Sequence, residues 1–337
     1  MKALIIDVEG TELTKEERAF FKKHNPLGYI LFARSCKEPK QLKALTDSLR
    51  EISGREDVPI LIDQEGGRVA RLRPPHWRKT VPADVYAKLA ARDEKAAKEA
   101  TYLNNRLIAM ELQAQGINVD CTPVLDLLVK GMSDVIGDRA FGTEPRQIVK
   151  LATEVCRGMM DSGVMPIIKH IPGHGRTKVD SHHELPVVDA PLEVLRKTDF
   201  VPFKELAHIP WAMTAHVIYT AIDDKLPATH SKKVVKVIRD EIGFDGLLLT
   251  DDLSMKALSG SYAERVHQSI NAGCDVVLHC NGKMAEKAEV AENTPLMSQQ
   301  AMDRFTKGFK ALPKPKKLGA HETEQALATL ISPVQVA

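Results

Sequence analysis

Long apolar runs are missing from this chain. No stretch approaches the roughly 20 apolar residues of a membrane-spanning helix, and the N-terminal MKALIIDVEG has its apolar run broken at Asp7. That run is too short for a signal-peptide core and has no cleavage-site pattern after it, so the expectation is a cytoplasmic protein with no membrane partner. Cysteine is scarce as well. Cys36, Cys121, Cys156, Cys274 and Cys280 are odd in number and scattered, with no CxxC pair. This argues against a disulfide framework or a zinc ribbon and fits reduced thiols. Net charge is nearly absent: 47 Lys and Arg stand against 45 Asp and Glu, for a balance of +2. Such a balance gives no field to attract nucleic acid. No GxGxxG follows the first apolar segment, so dinucleotide binding is unsupported. No Gly/Ser linker or composition break marks a domain boundary.

What the chain does have is repetition of one unit. Hydrophobic residues make up 43% and charged residues 27% of 337 positions, the balance of a globular protein large enough for a substantial core. Short apolar segments alternate with helical-period segments almost throughout. Strands are expected at 3–8, 28–33, 59–63, 118–125, 165–168, 211–217, 246–250 and 275–278. The intervening helices are expected at 14–24, 39–52, 93–115, 145–161, 191–208 (interrupted near Pro202), 231–242 and 262–272, with further helices at about 295–331. Thr14 and Glu17 form a capping box at the first of them. The strands are rich in Ile, Leu and Val rather than alternating, as when both faces of a parallel sheet are covered. Eight strand–helix units predict an α/β fold, a single-domain (β/α)8 TIM-like barrel over residues 1–337. A doubly wound open sheet is the alternative.

Barrel chemistry sits at the C-terminal ends of the strands. Those positions hold Asp63 and Glu65 after strand three, Arg139 in the loop after strand four, and Lys169 and His170 at strand five. His216, Asp251 with Asp252, and His279 end the last three strands. The densest stretch is KHIPGHG at 169–175 followed by Asp180-Ser181-His182; these two segments, within fourteen residues, hold three histidines, a lysine and an aspartate. A mouth of this composition suits two chemistries. Metal-assisted hydrolysis lacks its usual signs, since the first strand has no HxH pair and no HExxH occurs, so no metal is expected. Glycoside hydrolysis needs a carboxylate nucleophile and a proton donor. Asp251, ending a stiff apolar strand, suits the first role. His182, two residues from Asp180 and able to lie on its side of an extended segment, suits the second. The aspartate would fix the imidazole's tautomer and stabilise its cation, as in serine-protease triads.

The residues GYILF at 28–32, DQEGGRVARL at 63–72, DRAFG at 138–142, KHIPGHG, DSHHELP at 180–186 and TDDLSM at 250–255 identify the chain as resembling glycoside hydrolase family 3. Within it, the chain is similar to the single-domain bacterial cytoplasmic β-N-acetylglucosaminidases of cell-wall recycling. The resemblance spans about residues 3 to 290, and departs only in small ways, such as Ile171 where many relatives have Phe and Ala140 where Ser is common. It implies a (β/α)8 barrel, no cofactor, and exo-removal of terminal β-linked N-acetylglucosamine with retention. Asp251 matches the nucleophile, His182 the acid/base on a mobile loop, and Asp180 its partner. Asp63, Arg139, Lys169 and His170, with Arg71 inside DQEGGRVARL, match sugar-binding positions. Asp252 is expected to be structural. Gly173 and Gly175 are expected to ease closure of the loop that carries His182. The expected partner is a small carbohydrate, a GlcNAc-containing muropeptide, and the expected state a monomer. A phosphorylase on the same scaffold, or a sugar-binding barrel without catalysis, are the rival readings.

Overall fold

A computed structural model describes residues 1–181, 184–280 and 283–335. Its strands are β1 (Lys2–Asp7), β2 (Pro26–Leu31), β3 (Ile60–Ile62), β4 (Val119–Asp120), β5 (Met165–Ile171), β6 (Val187–Val188), β7 (Trp211–Thr214), β8 (Ile218–Tyr219), β9 (Leu247–Asp252) and β10 (Val276–His279). Eight of these close a parallel barrel in the order β1-β10-β9-β7-β5-β4-β3-β2, while β6 and β8 pair separately. The helices are α1 (Lys15–His24), α2 (Pro39–Ser53), α3 (Ala83–Ala90), α4 (Glu94–Ala114), α5 (Pro145–Asp161), α6 (Leu192–Lys197), α7 (Phe200–Glu205), α8 (Lys232–Lys236), α9 (Tyr262–Ala272), α10 (Met284–Asn293), α11 (Gln299–Ala311) and α12 (Ala320–Gln335).

Local chemistry sets many of these boundaries. Thr14 caps α1 and Glu17 returns the bond to its backbone, and Ser261 with Glu264 does the same for α9. Such reciprocal caps satisfy two of the amide donors that a helix start leaves open. Pro145 occupies the first turn of α5, where its missing N–H costs nothing.

Besides small shifts of strand bounds and the unexpected β6–β8 pair, four features differ from expectation. The connection after strand three contains α3, whose buried Ala83, Tyr86 and Leu89 recur at helical spacing. The break expected near Pro202 lies at Thr198–Asp199 instead. Pro202 sits in the first turn of α7, where no amide donor is needed. The fourth strand is short, because Thr122–Pro123 follows β4 and proline has no N–H for the ladder. The helix expected over 231–242 turns to π geometry at Val237–Glu241.

Two apolar layers result. Ile5, Leu61, Ile167, Trp211 and Leu249 fill the barrel interior, and a larger layer joins the outer strand faces to the helices. From below, α11 closes the interior, with Phe305 and Phe309 packing on Trp211 at ring distances of 5.9 and 5.5 Å. The last helix, α12, packs on α3 and α4 at the side. With the bottom plugged and the core filled, the open C-terminal rim is left for chemistry.

Candidate active site

Five charged side chains from three strand ends form the floor of a rim cavity of about 290 Å³. The Lys169 ammonium donates to Asp63 Oδ1 at 2.9 Å and lies 2.7 Å from Glu65 Oε1. Arg139 grips Glu65 with two parallel bonds of 2.8 Å each, and Arg71 donates to Asp63 Oδ2 at 3.1 Å. Burial by itself would raise both carboxyl pKa values and lower that of lysine. The opposing charges win: Lys169 and Arg71 hold Asp63 well below the carboxylate range. Arg139 and Lys169 bring Glu65 down to about 2, and the two carboxylates push Lys169 well above the ordinary ammonium value. The floor is therefore fully ionised and internally compensated, which is how buried charges become tolerable.

Arg139 is delivered by a loop that Arg68 fastens from outside. The Arg68 guanidinium donates to Asp138 Oδ1 at 2.6 Å and to the carbonyls of Asp134, Val135 and Ile136 at 2.9, 2.9 and 3.1 Å. Arg139 also donates to the Val135 carbonyl at 3.0 Å.

The 169–175 stretch is fixed rather than loose. The peptide joining Lys169 to His170 is cis. His170 Nδ1 lies 2.7 Å from Asp126 Oδ2, and the His174 amide donates to Asp126 Oδ1 at 2.6 Å. Tyr219 donates to the Gly173 carbonyl at 2.6 Å. A Cβ on Gly175 would stand 1.9 Å from the Leu127 carbonyl oxygen, and Gly173 adopts φ 134°. These glycines therefore serve close approach and a backbone conformation that side chains disfavour. His174 is buried, with its ring nitrogens 3.1 Å from Thr177 Oγ1 and 3.1 Å from Ser181 Oγ. Burial, reinforced by the charge of His170, takes its pKa down to about 4.

Across the cavity, Asp251 is the last residue but one of β9 and accepts the Asp252 amide on Oδ1 at 2.8 Å. Burial would raise its pKa, but the charges of His170 and His216, with that amide bond, hold it below the ordinary value. Asp252 turns toward the scaffold, accepting from the amides of Ser254 and Cys280 at 2.8 and 3.0 Å. His216 is buried beneath, with Nε2 donating to the Asp252 carbonyl at 2.9 Å.

Of the residues singled out in the sequence, Asp63, Arg71, Arg139, Lys169, His170, Asp180 and Asp251 all line the cavity. His182 lies outside the described residues. His279, expected at the mouth, does not line it. Leu278 and Cys280 face the cavity, while His279 is fully buried with its ring edge-on to Tyr262 on α9. Successive strand side chains point to opposite faces, and its position falls on the helix side. Glu65 was expected at the mouth but not as a partner of Arg139 and Lys169. Asp126 was missed altogether. Its one signal is a lone carboxylate inside the apolar run VLDLLV at 124–129, where a buried charge must find donors.

The strand ends of this barrel gather carboxylates, cations and imidazoles around one pocket, an arrangement that suits a glycoside hydrolase. The sequence profile of the Glycosyl hydrolase family 3 N terminal domain matches residues 3–308, and the chain belongs to that family. The Beta-hexosaminidase of Alkalilimnicola ehrlichii is 43% identical over 283 residues, 82% of this chain and 80% of the relative. NagZ from Neisseria gonorrhoeae, solved in complex with N-trifluoroacetyl-D-glucosamine, superposes with a TM-score of 0.86 at 31% identity over 98% of each chain. A family 3 β-N-acetylglucosaminidase from Paenibacillus sp. str. FPU-7 gives a TM-score of 0.84 at 31% identity over 97% of this chain and 66% of that one.

Proposed function

We propose that the protein is a retaining exo-β-N-acetylglucosaminidase that removes terminal β-linked GlcNAc from muropeptide fragments carrying 1,6-anhydro-N-acetylmuramic acid, with or without peptide. It would act as a cytoplasmic monomer in cell-wall recycling. The observation that carries this reading is the placement of an ionised Asp251 at a rigid strand end, facing a charge-compensated floor across a cavity of about 290 Å³. The names of the relatives support the sugar: a Beta-hexosaminidase and a neighbour that binds an N-acylglucosamine.

The chemistry is a double displacement. Asp63 accepts from ring hydroxyls, and Lys169, Arg139, Arg71 and His170 orient them. Asp251 attacks the anomeric carbon while His182, partnered by Asp180, passes a proton to the leaving oxygen. The glycosyl ester on Asp251 then breaks as the neutral His182 takes a proton from water, whose oxygen attacks from the face the aglycone has left. Configuration is retained because two inversions occur. The acid/base contribution is on the order of 10²–10⁴ in rate.

Asp251→Ala tests the reading, with an aryl N-acetyl-β-glucosaminide as substrate. Activity is expected to fall by at least about 10³-fold, the scale on which losing a reacting group acts; a near wild-type rate would sink the assignment. Mass spectrometry of products from a muropeptide mixture tests the aglycone, with free GlcNAc and the anhydro-muramyl peptide expected. A sugar 1-phosphate formed only with added phosphate would instead mark a phosphorylase.

A further inference from the structure

Asp126 touches nothing in the cavity, yet three donors from the densest functional stretch converge on it. It is fully buried on the segment after β4. Its carboxylate accepts from the His174 amide at 2.6 Å, from the His170 amide at 3.3 and 3.4 Å, and faces His170 Nδ1 at 2.7 Å. Among the described residues no lysine or arginine pairs with it, and the His170 ring, 2.7 Å away, is its side-chain partner. Burial disfavours its charge, but His170 and the His174 amide hold the carboxyl below its ordinary pKa.

An ionised carboxylate is acceptor-only. The proton between the two groups must therefore sit on His170 Nδ1, and the tautomer is set. Since Nδ1 is turned to Asp126 behind the cavity wall and His170 lines the cavity, the opposite ring edge, with Nε2, is left for the cavity. The same carboxylate holds the His174 amide. One buried group thus fixes both the sugar-facing imidazole and the start of the segment leading to Asp180. We propose that Asp126 is a positioning residue for the reaction, setting the tautomer and aim of His170 and anchoring the base of the acid/base arm.

Asp126→Asn is the discriminating variant. The amide oxygen can still accept from the His174 backbone, but its NH2 turned to His170 makes Nδ1 an acceptor and moves the ring proton to Nε2. A comparable aspartate-to-asparagine change beside a catalytic histidine preserves geometry and lowers turnover through the wrong tautomer. In enzyme labelled with 15N-histidine, the ring signals of His170, assigned by their loss in His170→Gln, should report Nδ1–H in wild type and Nε2–H in the variant. The kcat/KM on an aryl N-acetyl-β-glucosaminide should fall by roughly 10² or more. In a His170→Gln background the same change should cost less than about threefold, since residues acting through one another are not additive.

A wild-type His170 carrying its proton on Nε2 alone would overturn the proposal, as would losses that multiply independently in the double variant. If Asp126→Asn does not fold, the wild-type tautomer decides. The kinetic arm rests on the glycosidase reading. A wild-type enzyme inert toward the aryl substrate fails that reading, and the spectrum still judges this one.

Discussion

Lys169 is held between two carboxylates, and Glu65 in turn is held by both Lys169 and Arg139, so no member of the floor can change alone. Glu65→Gln removes one negative charge and leaves Arg139 and Lys169 competing for a weaker acceptor. Breaking one side of a buried ion pair costs about 3–5 kcal/mol where it goes uncompensated. Because the affected groups line the cavity, the expected kinetic signature is KM raised by about tenfold or more, with a smaller change in kcat. Initial rates against substrate concentration check this, and an unchanged KM would mean that Glu65 does not organise the floor. At this scale the sequence was informative where a polar residue ended an apolar strand, as at Asp63, Lys169 and Asp251. It was weakest where a polar neighbour of the site lay inside an apolar run, as Asp126 does, because the lone carboxylate is visible there but the donors that justify its charge are not.

The 169–181 segment reads differently as an element than as a motif. Its glycines suggested an easily moved loop, yet Gly175 lies against the Leu127 backbone, and the Ser133 amide donates to the Thr177 carbonyl at 2.8 Å. Arg176 is tied to Asp199 and Thr198 at 2.7 and 3.0 Å. The segment from Gly173 to Thr177 is thus a docked base, and motion of the arm would begin beyond it. Gly175→Ala places a methyl group where a backbone oxygen stands. Overpacking of this kind costs about 1–3 kcal/mol, so the urea midpoint should fall and activity should fall with it. An unchanged midpoint would show that the base is looser than its packing implies. Helices with strong local signals, such as α1, α5 and α9, were legible almost to the residue. The short α3 was not, since Pro74, Pro75 and Pro82 before it masked about two turns of apolar spacing.

For the whole molecule, eight strand–helix repeats were enough to read the closed barrel, because a parallel strand buried on both faces leaves an unmistakable apolar run. Which strand-end side chain points inward was not readable, since one register step reverses it, and His279 is the case in point. Among the described residues neither of its ring nitrogens has a hydrogen-bond partner, and burial lowers its pKa to about 4. Below the unfolded value near 6.5 the unfolded chain takes up a proton that the native state refuses, so stability is present above that pH and lost as pH falls toward 4. His279→Phe should therefore flatten the pH dependence of unfolding free energy by up to about 1.4 kcal/mol per pH unit in this window. Equal slopes for variant and wild type would contradict the burial argument. The central claim, that this barrel carries out double displacement on Asp251, is tested most directly by trapping the intermediate. Incubation with a slow fluorinated N-acetylglucosaminyl substrate should add one glycosyl mass to the intact protein, and peptide mapping should place it on Asp251. No adduct despite turnover, or an adduct on another carboxylate, would contradict the account.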